Sequence, residues 1–303
     1  MRVVEPGRFG QPDKLLAISG GLLLLVVALG AWICAANAVP MAVWVRNLVA
    51  WAAGAATAFV LARASSAWVF PAVLLVTALL LAMTLFDPGQ LGVHRWMGLG
   101  PLSINIAMLM LPSALIAMAA LGAKVPWFWL LAMTCLAILV IQPDASQATA
   151  LGAALTLIAL TSAVPRFIRL AVSLGAVTAA GAAWLRPDPL QPVPEVEQIH
   201  LLAWAVSPVL AVVALASLVL FNLAPGWLGR HGAPDLRIAA LALSVYLFVG
   251  AVMPFVGPFP VPFLGIGVSP ILGAWLGLGC LAMLSRTSSA EVRRPGPSSV
   301  GPE

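Results

Sequence analysis

Apolar residues fill most of this chain in long, nearly unbroken stretches, and the polar positions gather into a few short islands between them. Ten apolar segments stand out, near residues 15–35, 41–62, 67–86, 101–122, 126–141, 145–164, 168–185, 200–222, 238–256 and 264–284. They lack the strict alternation of a lipid-facing β-strand, and most approach or exceed the roughly 17–25 residues of a transmembrane helix. The pattern predicts an all-α, polytopic membrane protein of about ten spans. The fifth segment is the weakest, short enough to be tilted or partly re-entrant. The islands are FDPGQLGVHRWMGLGPLS (86–103), IQPDASQ (141–147), LRPDPLQPVPEVEQIH (185–200) and the proline-rich GPFPVPFLG (257–265). Lipid tolerates polar groups only where they reach water or a partner, so the chemistry of the chain is expected in these islands.

Charge orients this scaffold. Only 8% of the 303 residues are charged and 62% are hydrophobic, whereas a soluble domain carries roughly 25% charged residues. With the N-terminus inside, twelve of the fifteen Lys and Arg residues fall on the inner side, leaving Arg46, Arg95 and Arg186 outside, as the positive-inside rule requires. Both termini are then cytoplasmic. Residues 1–285 form one transmembrane domain, and 286–303 form a polar, disordered tail. Arg2, Arg8 and Lys14 precede the first apolar run, as in a signal peptide, but no small-residue cleavage site follows and further spans do. All four islands face outward, with five of the ten carboxylates: Asp87, Asp144, Asp188, Glu195 and Glu197.

This distribution excludes several classes. No ionisable group sits in the middle of a span, so a proton relay or ion-coupled carrier lacks its usual intramembrane residues. A small-molecule transporter is disfavoured for the same reason, and for want of a clear inverted repeat. The net charge of +5 comes without any basic run interleaved with aromatics, which points to anionic membrane lipid and away from nucleic acid. Cys34, Cys135 and Cys280 lie apart within apolar segments and read as small core residues, with no metal site or disulfide framework. The sequence implies no cofactor and leaves room for a divalent cation.

Three stretches carry a resemblance. HRWMGLGPLS (94–103) resembles the "RRW-x-x-LGPLS" signature of the SEDS family, the FtsW/RodA/SpoVE proteins of shape, elongation, division and sporulation. QPDASQA (142–148) is similar to that family's "(E/Q)PDLGTA", and FPVPFLGIGVSPILGAWLGLGCLAMLSR (259–286) to its C-terminal "LPLPFVSYGGSSLLxxxxxLGLLLSISR". The three occur in the family's order, in a ten-span, N-in topology. The resemblance implies an integral glycosyltransferase of the bacterial plasma (inner) membrane. Such a protein polymerises lipid-linked peptidoglycan precursors at the outer face, beside a class B penicillin-binding protein. That chemistry needs an apolar groove for the lipid, a cation for the pyrophosphate and a carboxylate base for the acceptor hydroxyl.

Matched residue by residue, the resemblance is uneven. Arg95 and Trp96 match the family's Arg-Trp pair, with Arg95 a phosphate ligand and Trp96 a sugar platform. Both also suit a snorkelling and belt position at a span boundary. Asp144 matches the Asp of the "PD" motif and, with Gln147 three residues on, reads equally as a capping box. Pro262, Gly267 and Ser269 match the C-terminal segment, where Ile266 and Val268 replace a Tyr and a Gly. Pro258, Pro260 and Pro262 predict an extended, polyproline-like loop. The family's "FQPSELAK" has lost its carboxylate, since LPSAL (111–115) puts Ala114 at the Glu position. VPEVEQIHLLAWAV (193–206) resembles the family's "LPExxTDFIFAV", but the catalytic Asp position falls on Ile199. Glu195, Glu197 and His200 are the candidate substitutes, or else two solvated charges and an interfacial residue. A divergent member of the envelope machinery follows, with degraded catalytic motifs. The alternative is a non-catalytic scaffold or lipid-binding partner.

Overall fold

The computed structural model describes residues 12–66, 68–100 and 102–292, with side chains to residue 287. Arg2, Arg8, Arg293 and Arg294, counted above for orientation, lie outside the described residues, as does most of the expected tail. The described chain is helical apart from one hairpin. Its order is α1 (Pro12–Ala36), α2 (Met41–Leu61), α3 (Val69–Thr84), β1 (Trp96–Leu99), β2 (Leu102–Asn105), α4 (Ile106–Leu121), α5 (Phe128–Ile141), α6 (Ala145–Thr161), α7 (Arg166–Trp184), α8 (Pro194–Glu197), α9 (Ile199–Val206), α10 (Pro208–Gly229), α11 (Pro234–Val252) and α12 (Val268–Val292).

Six helices, α1, α2, α7, α10, α11 and α12, are long and apolar enough to cross a membrane, and α3, α4, α5 and α6 are shorter apolar helices of 10–17 residues. These ten follow the ten expected segments in order. The weak fifth is α5, the shortest at 14 residues, or about 21 Å against a hydrocarbon core of about 30 Å.

Boundaries differ where local chemistry overrides hydropathy. The fourth segment opens with β2, because Leu102–Asn105 pair with β1 before helix begins. The eighth is broken in two. Pro208 pushes the residue before it out of the helical region, and Ser207 is extended, with φ −167° and ψ 130°. The Ser207 hydroxyl then accepts a bond from the Leu210 N–H at 3.5 Å and restarts the helix as α10. The last helix continues beyond residue 285 to Val292.

Glycines set the centre of the bundle. The helix α12 packs against α4, α2 and α1, and its GAWLGLG stretch (273–279) is what permits this. A Cβ on Gly273 would lie 2.0 Å from the Met108 carbonyl oxygen, and one on Gly279 would lie 2.9 Å from the Ala58 Cα. Spaced small residues let helix backbones touch in lipid, where no hydrophobic force holds helices together. The three cysteines are buried.

The two ends of the bundle differ. One holds an exposed ion network, with Asp13 at 3.4 Å from Arg63 and 3.9 Å from Arg286, and Lys124 at 3.5 Å from Asp235. At the other end the four polar islands meet.

Candidate functional site

The first island is built from two turns and a hairpin. Leu91 and Gly92 both have positive φ, 51° and 83°, and Gln90 and Val93 exchange both backbone hydrogen bonds at 2.9 Å. This is the two-residue turn that matches strand twist. Asp87 shapes the approach to it, its carboxylate accepting from the Gly89 N–H at 3.2 Å and its carbonyl contacting His94 Nδ1 at 3.0 Å. Beyond it, β1 and β2 pair antiparallel, Trp96 opposite Asn105 and Gly98 opposite Ser103.

That hairpin delivers Arg95 into a buried charge cluster. Arg95 Nη2 donates to Asp188 Oδ2 at 2.7 Å and to the Pro143 carbonyl, and Nε lies 3.8 Å from Asp144 Oδ2. The side chains of Arg95, Asp188 and Asp144 are 6%, 18% and 3% exposed. Arg95 is therefore not a free cation on the surface. Its charge is met by two acids, and its Nε has no hydrogen-bond partner among the described residues.

Asp144 is the N-cap of α6, as the spacing predicts, accepting from the Gln147 N–H at 3.2 Å and the Ser146 hydroxyl at 3.0 Å. The reciprocal half of a capping box is absent, because the Asp144 N–H donates to the Leu139 carbonyl at 2.9 Å. The Gln147 side chain instead accepts a hydrogen bond from the Tyr246 hydroxyl of α11. Gln142 fixes the same island from behind, donating to the Leu81 carbonyl at 3.3 Å and to the Thr84 hydroxyl.

A second locus, at the same end of the bundle, is a cavity of about 250 Å³. Trp96, Ser103 and Asn105 of the hairpin form one wall, Val193, Val196 and Glu197 another, and residues 260–270 the floor. The floor is held from several sides. Asn47 of α2 donates to the Gly265 carbonyl at 3.0 Å and accepts from the Gly267 N–H at 3.1 Å. The Val261 and Ile266 N–H groups donate to the Val196 and Glu195 carbonyls at 3.0 and 2.9 Å. Ser269 Oγ accepts from the Asn105 N–H at 2.9 Å. The expected extended loop is thus corrected. Only a short run around Pro260 is open, and Phe263 turns the chain at φ 67°. Its ring is buried against Phe221, centroids 5.0 Å apart, and this burial favours the turn over a polyproline run.

Glu197 is the carboxylate of the cavity wall. Its Oε2 accepts from the Val193 N–H at 2.6 Å. Burial raises its pKa above the ordinary carboxylate value; that hydrogen bond opposes the rise, and the Asp188 and Glu195 charges add to it.

The sequence-predicted residues divide between these places. Trp96, Glu197, Gly267 and Ser269 line the cavity, while Arg95 and Asp144 form the charge cluster beside it. Pro262 is buried in a smaller pocket shared with Gln147 and Tyr246. Glu195 contributes its backbone to the floor, and His200 packs on Phe255 with centroids 5.0 Å apart. Neither lines the cavity. Ile199 is fully buried. Sequence reasoning missed Asp188, Gln147 and Tyr246 as members of the cluster. The signal for Tyr246 was present, since it is the one tyrosine in the chain and sits within an apolar segment.

No protein-family model matches the chain, and no curated protein matches it by sequence. Solved structures do share its fold. The rod shape determining protein RodA of Thermus thermophilus superposes with a TM-score of 0.62 at 20% identity, over 88% of this chain and 95% of that one. An aspartate-to-alanine variant of it gives 0.64 at 19% identity, over 88% and 96%. A chain from a peptidoglycan synthase complex, described for its coordination of polymerization and crosslinking, gives 0.63 at 21% identity, over 90% and 97%. At such identities the likeness is one of fold, and it is the fold that the SEDS resemblance implied.

Proposed function

We propose that this chain is a divergent SEDS-type protein of the bacterial plasma membrane that binds a lipid-linked peptidoglycan precursor at its outer face. The observation that carries this reading is the 250 Å³ cavity at the polar end of a RodA-like bundle, with Trp96 on one wall and Glu197 on the other. Trp96 offers a flat apolar face to a sugar. Arg95, next to it in the chain, supplies the cation for the pyrophosphate, in the bidentate manner that suits guanidinium. The membrane supplies the lipid end of the ligand, and a class B penicillin-binding protein is the partner that the SEDS resemblance implies.

Catalysis, if retained, falls to Glu197. A carboxylate whose pKa is raised by burial suits general base work near neutral pH. Polymerisation of lipid II by the purified full chain tests this. Glycan chains should form with the native protein and be lost with Glu197→Gln. Chains that persist in Glu197→Gln remove Glu197 from the role. The second reading is a non-catalytic scaffold on the same fold, favoured by one observation. Ile199, where the resemblance puts the catalytic Asp, is 0% exposed and has no proton to exchange. Lipid II binding without any polymer supports that reading.

A further inference from the structure

The charge cluster at Arg95 contains more acid than it needs. One guanidinium faces Asp188 at 2.7 Å and Asp144 at 3.8 Å. Arg46 and Arg186, the other cations of this end, are exposed and make no ion pair among the described residues. A phosphate added to this cluster would place a third anionic group on a single cation, in a setting where screening is weak. For Arg95 to hold an anionic ligand, one of its acids has to leave.

The two acids are not equally free to do so. Asp144 is 2% exposed and caps α6. Removing it would open the helix terminus. Asp188 sits instead on the segment that joins α7 to α8. No backbone–backbone hydrogen bond engages residues 187–192 among the described residues. Four prolines, Pro187, Pro189, Pro192 and Pro194, punctuate the segment and limit the conformations it samples when released. What ties its middle to the bundle is the Asp188 carboxylate on Arg95, with a local bond from the Leu190 N–H to Asp188 Oδ1 at 3.2 Å. Arg95 itself stays fixed by the Pro143 carbonyl, and its Nε is an unused donor.

We propose that Asp188 is an internal competitor at this site. Its carboxylate occupies the Arg95 guanidinium in place of a ligand phosphate, and a pyrophosphate-bearing ligand enters by displacing it, which frees residues 185–193, the segment that leads into the Val193 wall of the cavity. The exchange is of one anion for another on the same cation, so the buried charge is never left unpaired. A pyrophosphate, with more charge and more acceptor oxygens than a carboxylate, also engages Nε and wins the exchange. This rests on Arg95 being the phosphate ligand of the proposed function.

Titration of the full chain in lipid nanodiscs with farnesyl pyrophosphate, with farnesol as the uncharged control, tests both ideas separately. Asp188→Asn should bind the pyrophosphate at least tenfold more tightly than the native chain, and Arg95→Gln should lose binding. A spin label carried at the exposed Gln191 should become more mobile when the pyrophosphate is added and not when farnesol is. If Asp188→Asn binds no more tightly than the native chain while Arg95→Gln loses binding, the competitor is overturned and the anion site stands. If Arg95→Gln binds like the native chain, or no form binds, the anion site falls and the competitor with it. Should Asp188→Asn fail to fold, unchanged mobility of the label at Gln191 in the pyrophosphate-bound chain overturns the proposal by itself.

Discussion

The two ends of the bundle tie helices together with the same kinds of residue and to opposite effect. At one end Asp13 reaches Arg63 and Arg286 with side chains 64%, 38% and 40% exposed. At the other, Arg95 reaches Asp188 and Asp144 from a side chain 6% exposed. An exposed pair contributes about 0–1 kcal/mol, while removing one partner of a buried pair costs about 3–5 kcal/mol. The cations of the first end can orient the chain through their sum without any one of them mattering. At the second end Arg95 has its own partners and its own consequence.

Substitutions across the two ends should separate them by size of effect. Arg95→Ala leaves Asp144 and Asp188 facing each other and should cost about 3–5 kcal/mol in a thermal or denaturant melt. Arg46→Ala, at the same end but exposed and unpaired, should cost less than about 0.5 kcal/mol. Equal tolerance of the two in a complementation assay would erase the distinction drawn here. Tyr246→Phe comes next. It strands the buried Gln147 carbonyl oxygen and should cost about 1–3 kcal/mol, whereas indifference to the change would detach α11 from the cluster.

Glu197 gives a smaller, pH-dependent effect. Its folded pKa is raised, so between the unfolded and folded values the folded state binds more protons. Stability then falls as pH rises through that window. Glu197→Gln should therefore match the native chain in acid and melt at a higher Tm at neutral pH. A gap that is the same at both pH values would rule out titration as its source. The smallest change belongs to Asp13→Asn, worth less than about 1 kcal/mol and erased by added salt. A salt-independent loss would mean that the exposed network is structural after all.

Much of this arrangement is written in the chain. The ten apolar segments, the islands between them and the Asp144 cap all follow from local pattern, since hydropathy and capping act over a few residues. The hairpin was not visible, because MGLGPLSI is apolar enough to pass for the start of a span while its backbone pairs across a turn. Nor was the partner of Arg95. Asp188 lies 93 residues away in a loop whose prolines promise only irregularity, and choosing among the five carboxylates of the islands takes the packing of α6 against α7. The same limit hid Tyr246 and Gln147, which are 99 residues apart. The break in the eighth span is a different case. The dipeptide Ser207-Pro208 signals it, and the apolar run on either side masks it.

The glycine seam of α12 has a mechanical consequence. Because the Gly273 backbone lies against Met108 of α4, the two helices touch backbone to backbone there, and the Asn105–Ser269 bond joins them again at their N-terminal ends. One side of the cavity is thus a stiff plate continuous with the centre of the bundle. The opposite side, Val193 to Glu197, hangs from proline-rich chain and from backbone bonds to the floor. Such a pocket behaves as a vise with a single moving jaw. With the α4–α12 side fixed, any change in its width has to come from residues 185–197.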